Sequence, residues 1–208
     1  MRNLLKSLFV AALLSVGSTT LVAAELGKDY KLLNPAQPTS GKKIEVLEFF
    51  FYGCSHCFDL HIPLSAWEKT IPKDVELTYV PTIYRDSMEP MGRTFFALES
   101  LGQVHQLHDA LYRAMNVDNV DLRDEAAISG FVAKNGVDRA KFSAAYNSFS
   151  MQSKVTRAKQ MIRSYGIAGT PTLVVDGKYL ITGLIPEDTI RVLNEVIVMA
   201  RKARSGQK

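Results

Sequence analysis

Cysteine is scarce in this 208-residue chain: Cys54 and Cys57 are the only two, with two residues between them. A fold stapled by disulfides needs cysteines dispersed along the chain to close long loops. A bridge between Cys54 and Cys57 would close so small a loop that it would constrain the unfolded chain little. The pair therefore calls for a chemical explanation. A second pair of cysteines is also lacking, which argues against a four-cysteine zinc knuckle; His61 and one distant residue would have to complete such a site. Phe58, not histidine, follows Cys57, which excludes covalent haem attachment of the CxxCH type. Lys and Arg number 25 against 21 Asp and Glu, a formal net charge of +4. They form no clustered stripe of the kind that grips nucleic acid. Past the first residues no apolar run is long enough to span a bilayer, and there is no heptad stalk or separate dimerisation domain.

What is present begins with Arg2 and Lys6 before a short apolar stretch, Leu8 to Val16, and then small residues. Val22 and Ala24 fit the −3 and −1 positions of a signal-peptidase site, so residues 1–24 read as a cleaved signal peptide; the alternative is an uncleaved anchor. Loss of Arg2 and Lys6 would lower the net charge by two. Nearly half of the residues are hydrophobic, enough for a sizeable core.

Residues 25–43, with Pro35, Pro38 and Gly41, read as an extended lead-in. The run IEVLEFFF at 44–51 has the continuous apolar character of a strand covered on both faces. Gly53 ends it. A helix is expected from Cys54 to about Lys69, kinked at Pro63, followed by a strand over 77–80. This is a βαβ unit. From Met88 to Tyr165 the periodicity is helical. Val104, Leu107, Leu111 and Met115 mark one helical face, and Phe142, Ala145, Tyr146 and Phe149 another; Gly130 falls within a helix or at its edge. Strands at 172–175 and 178–182 flank Asp176-Gly177, a hairpin signal. A last helix starts near Pro186 and buries Ile190, Leu193 and Ile197, and the polar residues 202–208 are expected to fray. The expected fold is α/β: a signal peptide (1–24), a domain formed by 25–87 and 166–208, and a helical subdomain (88–165) inserted between βαβ and ββα halves.

Cys54 and Cys57 stand where the buried strand gives way to a helix. Unpaired N–H groups and the positive end of the helix dipole favour a Cys54 thiolate there, and a cationic or hydrogen-bonding His56 would add to it. Cys54 is then the exposed, attacked sulfur and Cys57 the resolving one. A depressed thiol pKa stabilises the reduced pair and makes the disulfide the stronger oxidant. Gly169-Thr170-Pro171-Thr172 precedes the hairpin; a cis Thr170–Pro171 bond would bring the Thr170 backbone beside the dithiol, where an extended substrate could pair with it.

The runs VLEFFFYGCSHC at 46–57 and GIAGTPT at 166–172, with the helical insertion between them, resemble the DsbA family of bacterial periplasmic thiol:disulfide interchange proteins within the thioredoxin superfamily. The resemblance covers nearly the whole chain after the signal peptide. It implies a thioredoxin-like fold and a periplasmic disulfide oxidase that acts on newly exported cysteine-containing proteins; the lack of a heptad stalk or dimerisation domain makes a monomer the expectation. It also implies reoxidation by a quinone-linked membrane partner of the DsbB type, with no organic cofactor, metal or nucleic acid. Its implied site residues are Cys54, Ser55, His56, Cys57 and the acid Glu48, with Gly169, Thr170 and Pro171 binding substrate. Glu48 would assist proton transfer at Cys57. Two departures stand out. Ser55 replaces the motif's familiar proline, which implies a less extreme potential. Thr78 is expected where the family has a lysine near the buried acid, which leaves Glu48 without a charged partner. The competing readings are an isomerase or reductase kept reduced, and a chaperone whose activity survives Cys54→Ala.

The remaining candidates have ordinary explanations beside functional ones. His105 and His108, three apart on a helix, are read as solvated or packing residues rather than a metal pair. His61 is a candidate neighbour of the motif, and Trp67 a packing residue. Tyr52 and Phe58 are either core or part of an apolar docking surface.

Overall fold

The structure, a computed structural model, describes residues 23–39 and 41–206. The expected signal segment, apart from its last two residues, lies outside the described residues. Five strands form one sheet in the order β1-β5-β4-β2-β3. β1 is Lys31–Leu32, β2 Ile44–Phe50, β3 Val75–Pro81, β4 Thr172–Val175 and β5 Tyr179–Thr182. β2 pairs parallel with β3 and antiparallel with β4. Helix α1, Ser55–Glu68, connects β2 to β3. A 3-10 turn at Asp86–Met88 leads into α2 (Glu89–Ser100), α3 (Val104–Asn116), α4 (Glu125–Lys134), α5 (Arg139–Tyr146) and α6 (Phe149–Ser164). The chain then returns to β4 and β5 and closes with α7, Pro186–Ser205. This is the α/β arrangement expected, βαβ and ββα units with helices between them.

The sheet has different helices on its two faces, because successive residues of a strand point opposite ways. Ile44 and Val46 of β2 pack with Leu60, Leu64 and Trp67 of α1 and with Leu193 and Val196 of α7. Leu47 and Phe49 face the other way, onto Ala158, Ile162 and Tyr165 near α6. The apolar run of β2 is therefore two-sided core. Phe50 continues the α1 face into the helical cluster with Phe95, Leu107, Leu111 and Phe142. Full burial of a Phe of this kind stabilises by about 1.5–3 kcal/mol. Trp67 is buried, with its indole N–H donating to Asn194 Oδ1 at 2.9 Å. Helix α1 passes through Pro63, and Gly130 lies inside α4.

The structure differs from several expectations. The lead-in is not merely extended: β1 pairs with β5, and the Gln37 amide donates to Gly177 O at 2.8 Å. At the hairpin, Asp176 and Gly177 both have positive φ, 54° and 62°. A Cβ on Gly177 would lie 2.1 Å from Gln37 O, so the lead-in itself requires glycine there. Phe149 does not share the face of Phe142 and Tyr146. Helix α5 stops at Tyr146, the chain is extended at Ser148, and Phe149 opens α6 fully exposed. Ile190 is only partly buried, while Thr189, Val192 and Val196 join Leu193 and Ile197 in the buried face. Residues 202–205 do not fray but complete α7. Arg204 pairs with Asp176, its Nε 2.9 Å from Oδ2, and donates to Lys42 O. Residues 207–208 lie outside the described residues.

Candidate active site

The dithiol sits at the junction its sequence suggested. Cys54, in an extended conformation, caps the N-terminus of α1. Its N–H donates to Phe51 O at 3.0 Å and its C=O accepts from the Phe58 N–H at 3.0 Å. The turn before it is held from the helical side, where the Asn116 amide donates to Tyr52 O at 2.7 Å and to Tyr112 O at 2.8 Å. Gly53 permits this close approach. A Cβ there would stand 2.7 Å from the Phe51 ring and 3.1 Å from the end of Met115.

The two sulfurs occupy different surroundings. Cys54 is half-buried and its thiol donates to Thr170 O at 3.4 Å; Cys57 is fully buried. A hydrogen bond from the Cys57 thiol holds Cys54 down at about 5, helped by the Thr170 side chain and the backbone N–H groups of Cys57 and His56. Partial burial opposes the shift without cancelling it. Burial pushes the Cys57 thiol well above the ordinary range, with the bond to Cys54 and the nearby Glu48 acting the same way. The contribution of His56 in this geometry is its N–H at the helix start. Its imidazole is exposed, with Nδ1 4.0 Å from Asp59 Oδ2. Ser55, the first residue of α1, is exposed.

The peptide bond between Thr170 and Pro171 is cis. The loop is fastened by threonines on the flanking strands: Thr172 Oγ1 donates to Gly169 O at 2.8 Å, and Thr182 Oγ1 to Pro171 O at 3.2 Å. Gly169, Thr170 and Pro171 share an open groove of about 410 Å³ with His56, Leu184 and Ile185. Seven of the eight expected site residues thus lie together around the dithiol. The groove's far wall, from Leu184 to Thr189, carried no motif signal in the sequence.

Glu48 lies apart, behind the dithiol, with only 1 % of its surface exposed. Its Oε1 has no hydrogen-bond partner among the described residues. Burial raises its carboxyl to about 8, and the charges of Glu68 and Cys54 push in the same direction. Thr78 is not its neighbour. The register pairs Glu48 with Tyr79, whereas Thr78 pairs with Leu47 and is exposed on the other face. Among the described residues Glu48 nonetheless lacks a cationic partner, because the residue beside it is a tyrosine and the charges acting on it are acidic. Tyr79 donates to Glu68 Oε2 at 2.9 Å. Neither residue was singled out in the sequence. Glu68 had a signal there, since Cys57, His61, Leu64 and Glu68 form one stripe along α1.

The surrounding wall is aromatic. Tyr52 is core, its hydroxyl 2.8 Å from His108 Nδ1, while Phe58 is partly buried against the same cluster. His108 is buried among Phe50, Tyr79 and Tyr112 and is held down at about 3, chiefly by burial. His61 meets His108 edge to face with ring centroids 5.0 Å apart, and its Nε2 lies 3.7 Å from Asp109 Oδ1. Among the described residues no group of three or more His, Cys, Asp or Glu is placed to hold a metal ion.

Comparison with known proteins agrees with this architecture. A family model described as a DSBA-like thioredoxin domain matches residues 63–193, beginning just after the dithiol. Among curated proteins, the thiol:disulfide interchange protein DsbA of Burkholderia cepacia is 36% identical over 183 residues, covering 86% of each chain. Its namesake from Pseudomonas aeruginosa is 32% identical over 208 residues, covering 96% of this chain and 99% of the other. Among solved structures, Pseudomonas aeruginosa DsbA superposes with a TM-score of 0.83 at 33% identity, covering 87% of this chain and 96% of that one. The oxidoreductase DsbA from Xylella fastidiosa gives 0.79 at 30% identity, covering 85% and 97%. Fold, dithiol junction and relatives converge: the chain belongs to the DsbA family of thioredoxin-fold thiol:disulfide oxidoreductases.

Proposed function

We propose that this protein is a periplasmic disulfide donor. A thiolate of a newly exported client attacks Cys54 Sγ in the Cys54–Cys57 disulfide, and the Cys57 sulfur leaves and takes up a proton. A second client thiolate then attacks the client sulfur of the mixed disulfide and expels Cys54 as a thiolate. The client loses two electrons and the enzyme gains them. The observation that carries this reading is the contrast between the sulfurs. Half-exposed Cys54 is stabilised as an anion by the Cys57 thiol, with the Thr170 side chain and the N–H groups of the helix start adding to it, while Cys57 is buried and held as a thiol. A low-pKa Cys54 is a good leaving group and favours the reduced enzyme, hence oxidation of the client.

Gly169, Thr170 and Pro171 are the client-binding loop in this reading, with the Thr170 backbone pairing to an extended segment along the groove. Ser55 and the His56 N–H shape the helix start around the Cys54 sulfur, and Glu48 exchanges a proton with Cys57. Residues 88–165 act as an inserted helical subdomain whose α3 walls the dithiol, on a domain formed by 25–87 and 166–208. The monomer returns to its oxidised form through a quinone-linked membrane oxidase of the DsbB type. Export with cleavage near Ala24 is consistent with carboxylates facing both nitrogens there, Glu195 at Ala24 and Asp29 Oδ2 at 2.9 Å from Glu25. A new terminal ammonium at Glu25 would face a carboxylate.

The roles are tested by trapping. Cys57→Ala whose Cys54 has first been charged as a mixed disulfide with glutathione should exchange glutathione, which leaves as thiolate, for a reduced, unfolded client with a single cysteine. It should accumulate the Cys54–client disulfide, visible by non-reducing mass spectrometry, and Cys54→Ala should form none. Full client oxidation by Cys54→Ala would overturn the assignment.

A further inference from the structure

The proton on Glu48 needs a way out of the core. Its carboxyl is buried on the α1 face of β2, with Oε1 unpartnered among the described residues. The ionisable groups around it are Cys54, Cys57 and Glu68 from α1 and its cap, Tyr52 after β2, Tyr79 from β3 and Tyr112 from α3, while β4 sets Leu173 beside it. Two of these connect outward: Tyr52 reaches the groove through His108, whose imidazole resists protonation, and only Tyr79 leads to a carboxylate. Tyr79 stands beside Glu48 in the sheet register, and its hydroxyl donates to Glu68 Oε2 at 2.9 Å. Glu68 and Tyr79 both line an open groove between α1 and α3, together with Lys69 and His105.

We propose that Tyr79 and Glu68 carry the proton of Cys57 and Glu48 between the buried dithiol and this groove. The proposal rests on the disulfide-donor reading of Cys54 and Cys57. During reoxidation, Cys54 first forms a mixed disulfide with the oxidant. Glu48 passes its proton to the Tyr79 oxygen as Tyr79 releases its own to Glu68, and Glu68 gives it to water in the groove. Cys57 then gives its proton to the Glu48 carboxylate so formed, and its sulfur attacks Cys54 Sγ and expels the oxidant's thiolate. One proton leaves and no electrons travel the route. The direction matches the observed bond, in which Tyr79 is the donor and Glu68 the acceptor. Tyr79 and Glu68 are positioning residues here, because they act through Glu48 and not on sulfur.

The test uses the reduced protein mixed with oxidised glutathione, acid-quenched and read by mass spectrometry, which separates glutathionylated Cys54 from the closed disulfide. Tyr79→Phe and Glu68→Gln should form the mixed disulfide at the wild-type rate and close it roughly tenfold more slowly near neutral pH, as loss of a proton relay should. Closure in both variants should also be restored by a small diffusible proton carrier such as imidazole, a rescue that a merely structural defect would not show. Closure at the wild-type rate in either folded variant, or slow closure that imidazole does not restore, overturns the route. If Tyr79→Phe does not fold, Glu68→Gln, changed at a partly exposed helix end, carries both readouts. Failure of the wild-type protein to form the mixed disulfide at Cys54 would instead sink the disulfide-donor reading.

Discussion

Glu48→Gln isolates the cost of keeping a carboxyl buried without a cation. Its pKa is raised from 4.5 to about 8 in the folded protein, chiefly by burial. A group raised in this way contributes its full stability below its unfolded pKa, and that stability is lost as pH rises through the folded value. Below pH 4.5 the carboxyl is protonated whether the chain is folded or not, and it costs nothing extra. Above that, the unfolded chain ionises freely while the folded one does not, until about pH 8. The span is roughly 3.5 pH units at about 1.4 kcal/mol each, so the wild type loses about 5 kcal/mol relative to a neutral residue across it. Urea denaturation of the oxidised protein from pH 4 to pH 9 reads this directly. In the disulfide form Cys54 carries no charge, so burial and Glu68, the two larger causes, remain. A buried Gln amide brings its own unsatisfied-polar penalty of about 1–3 kcal/mol, but that offset does not change with pH. The stability difference between Glu48→Gln and wild type should therefore move in favour of the variant by several kcal/mol between pH 4 and pH 9. A difference that stays flat, or that moves against the variant, would refute the claim that Glu48 is held neutral by its surroundings.

Other outcomes follow from the same geometry. In the reduced protein, the rate of Cys54 alkylation should titrate with a midpoint near 5, while Cys57 stays unreactive over the same range; a shared midpoint in the normal thiol range would contradict the difference between the two sulfurs. His108 is held down at about 3, so its stabilising neutral form loses its advantage as pH falls from about 6.5, where the unfolded imidazole protonates. His108→Phe, which leaves the Tyr52 hydroxyl without its partner, should be less stable by about 1–3 kcal/mol at pH 8, with the deficit closing toward pH 4 in urea titrations. Gly53→Ala should destabilise by about 1–3 kcal/mol through contact with Phe51 and Met115; an unchanged thermal midpoint would show that both side chains yield freely.

The parts of this site that were legible in the sequence are those whose chemistry depends on local order. The buried strand, the break at Gly53, the CxxC at a helix start and the Asp176-Gly177 hairpin all come from neighbours in the chain. So does the Gly169-Thr170-Pro171 run, which the dithiol faces once the sheet forms. What escaped depends on pairing across the fold. Tyr79, not Thr78, stands beside Glu48 because of the β2–β3 register, and a one-residue change of register exchanges the two faces of a strand. Phe149 fitted a helical stripe by spacing, yet the chain breaks at Ser148 before reaching it. Residues 202–205 looked like a polar tail, but Arg204 reaches back to Asp176 and Lys42 across a separation no local pattern reveals. Strand β1 is two residues long and exists only because β5 presents an edge.

The most direct test of the account is the reduction potential of the Cys54–Cys57 pair in the purified protein, equilibrated with glutathione redox buffers and read by mass spectrometry after acid quenching. Stabilisation of the Cys54 thiolate predicts a potential well above the cytosolic glutathione poise of about −220 to −260 mV, as a disulfide donor requires. A potential near that of thioredoxin, about −270 mV, would contradict the disulfide-donor account and mark the protein as a reductase or isomerase.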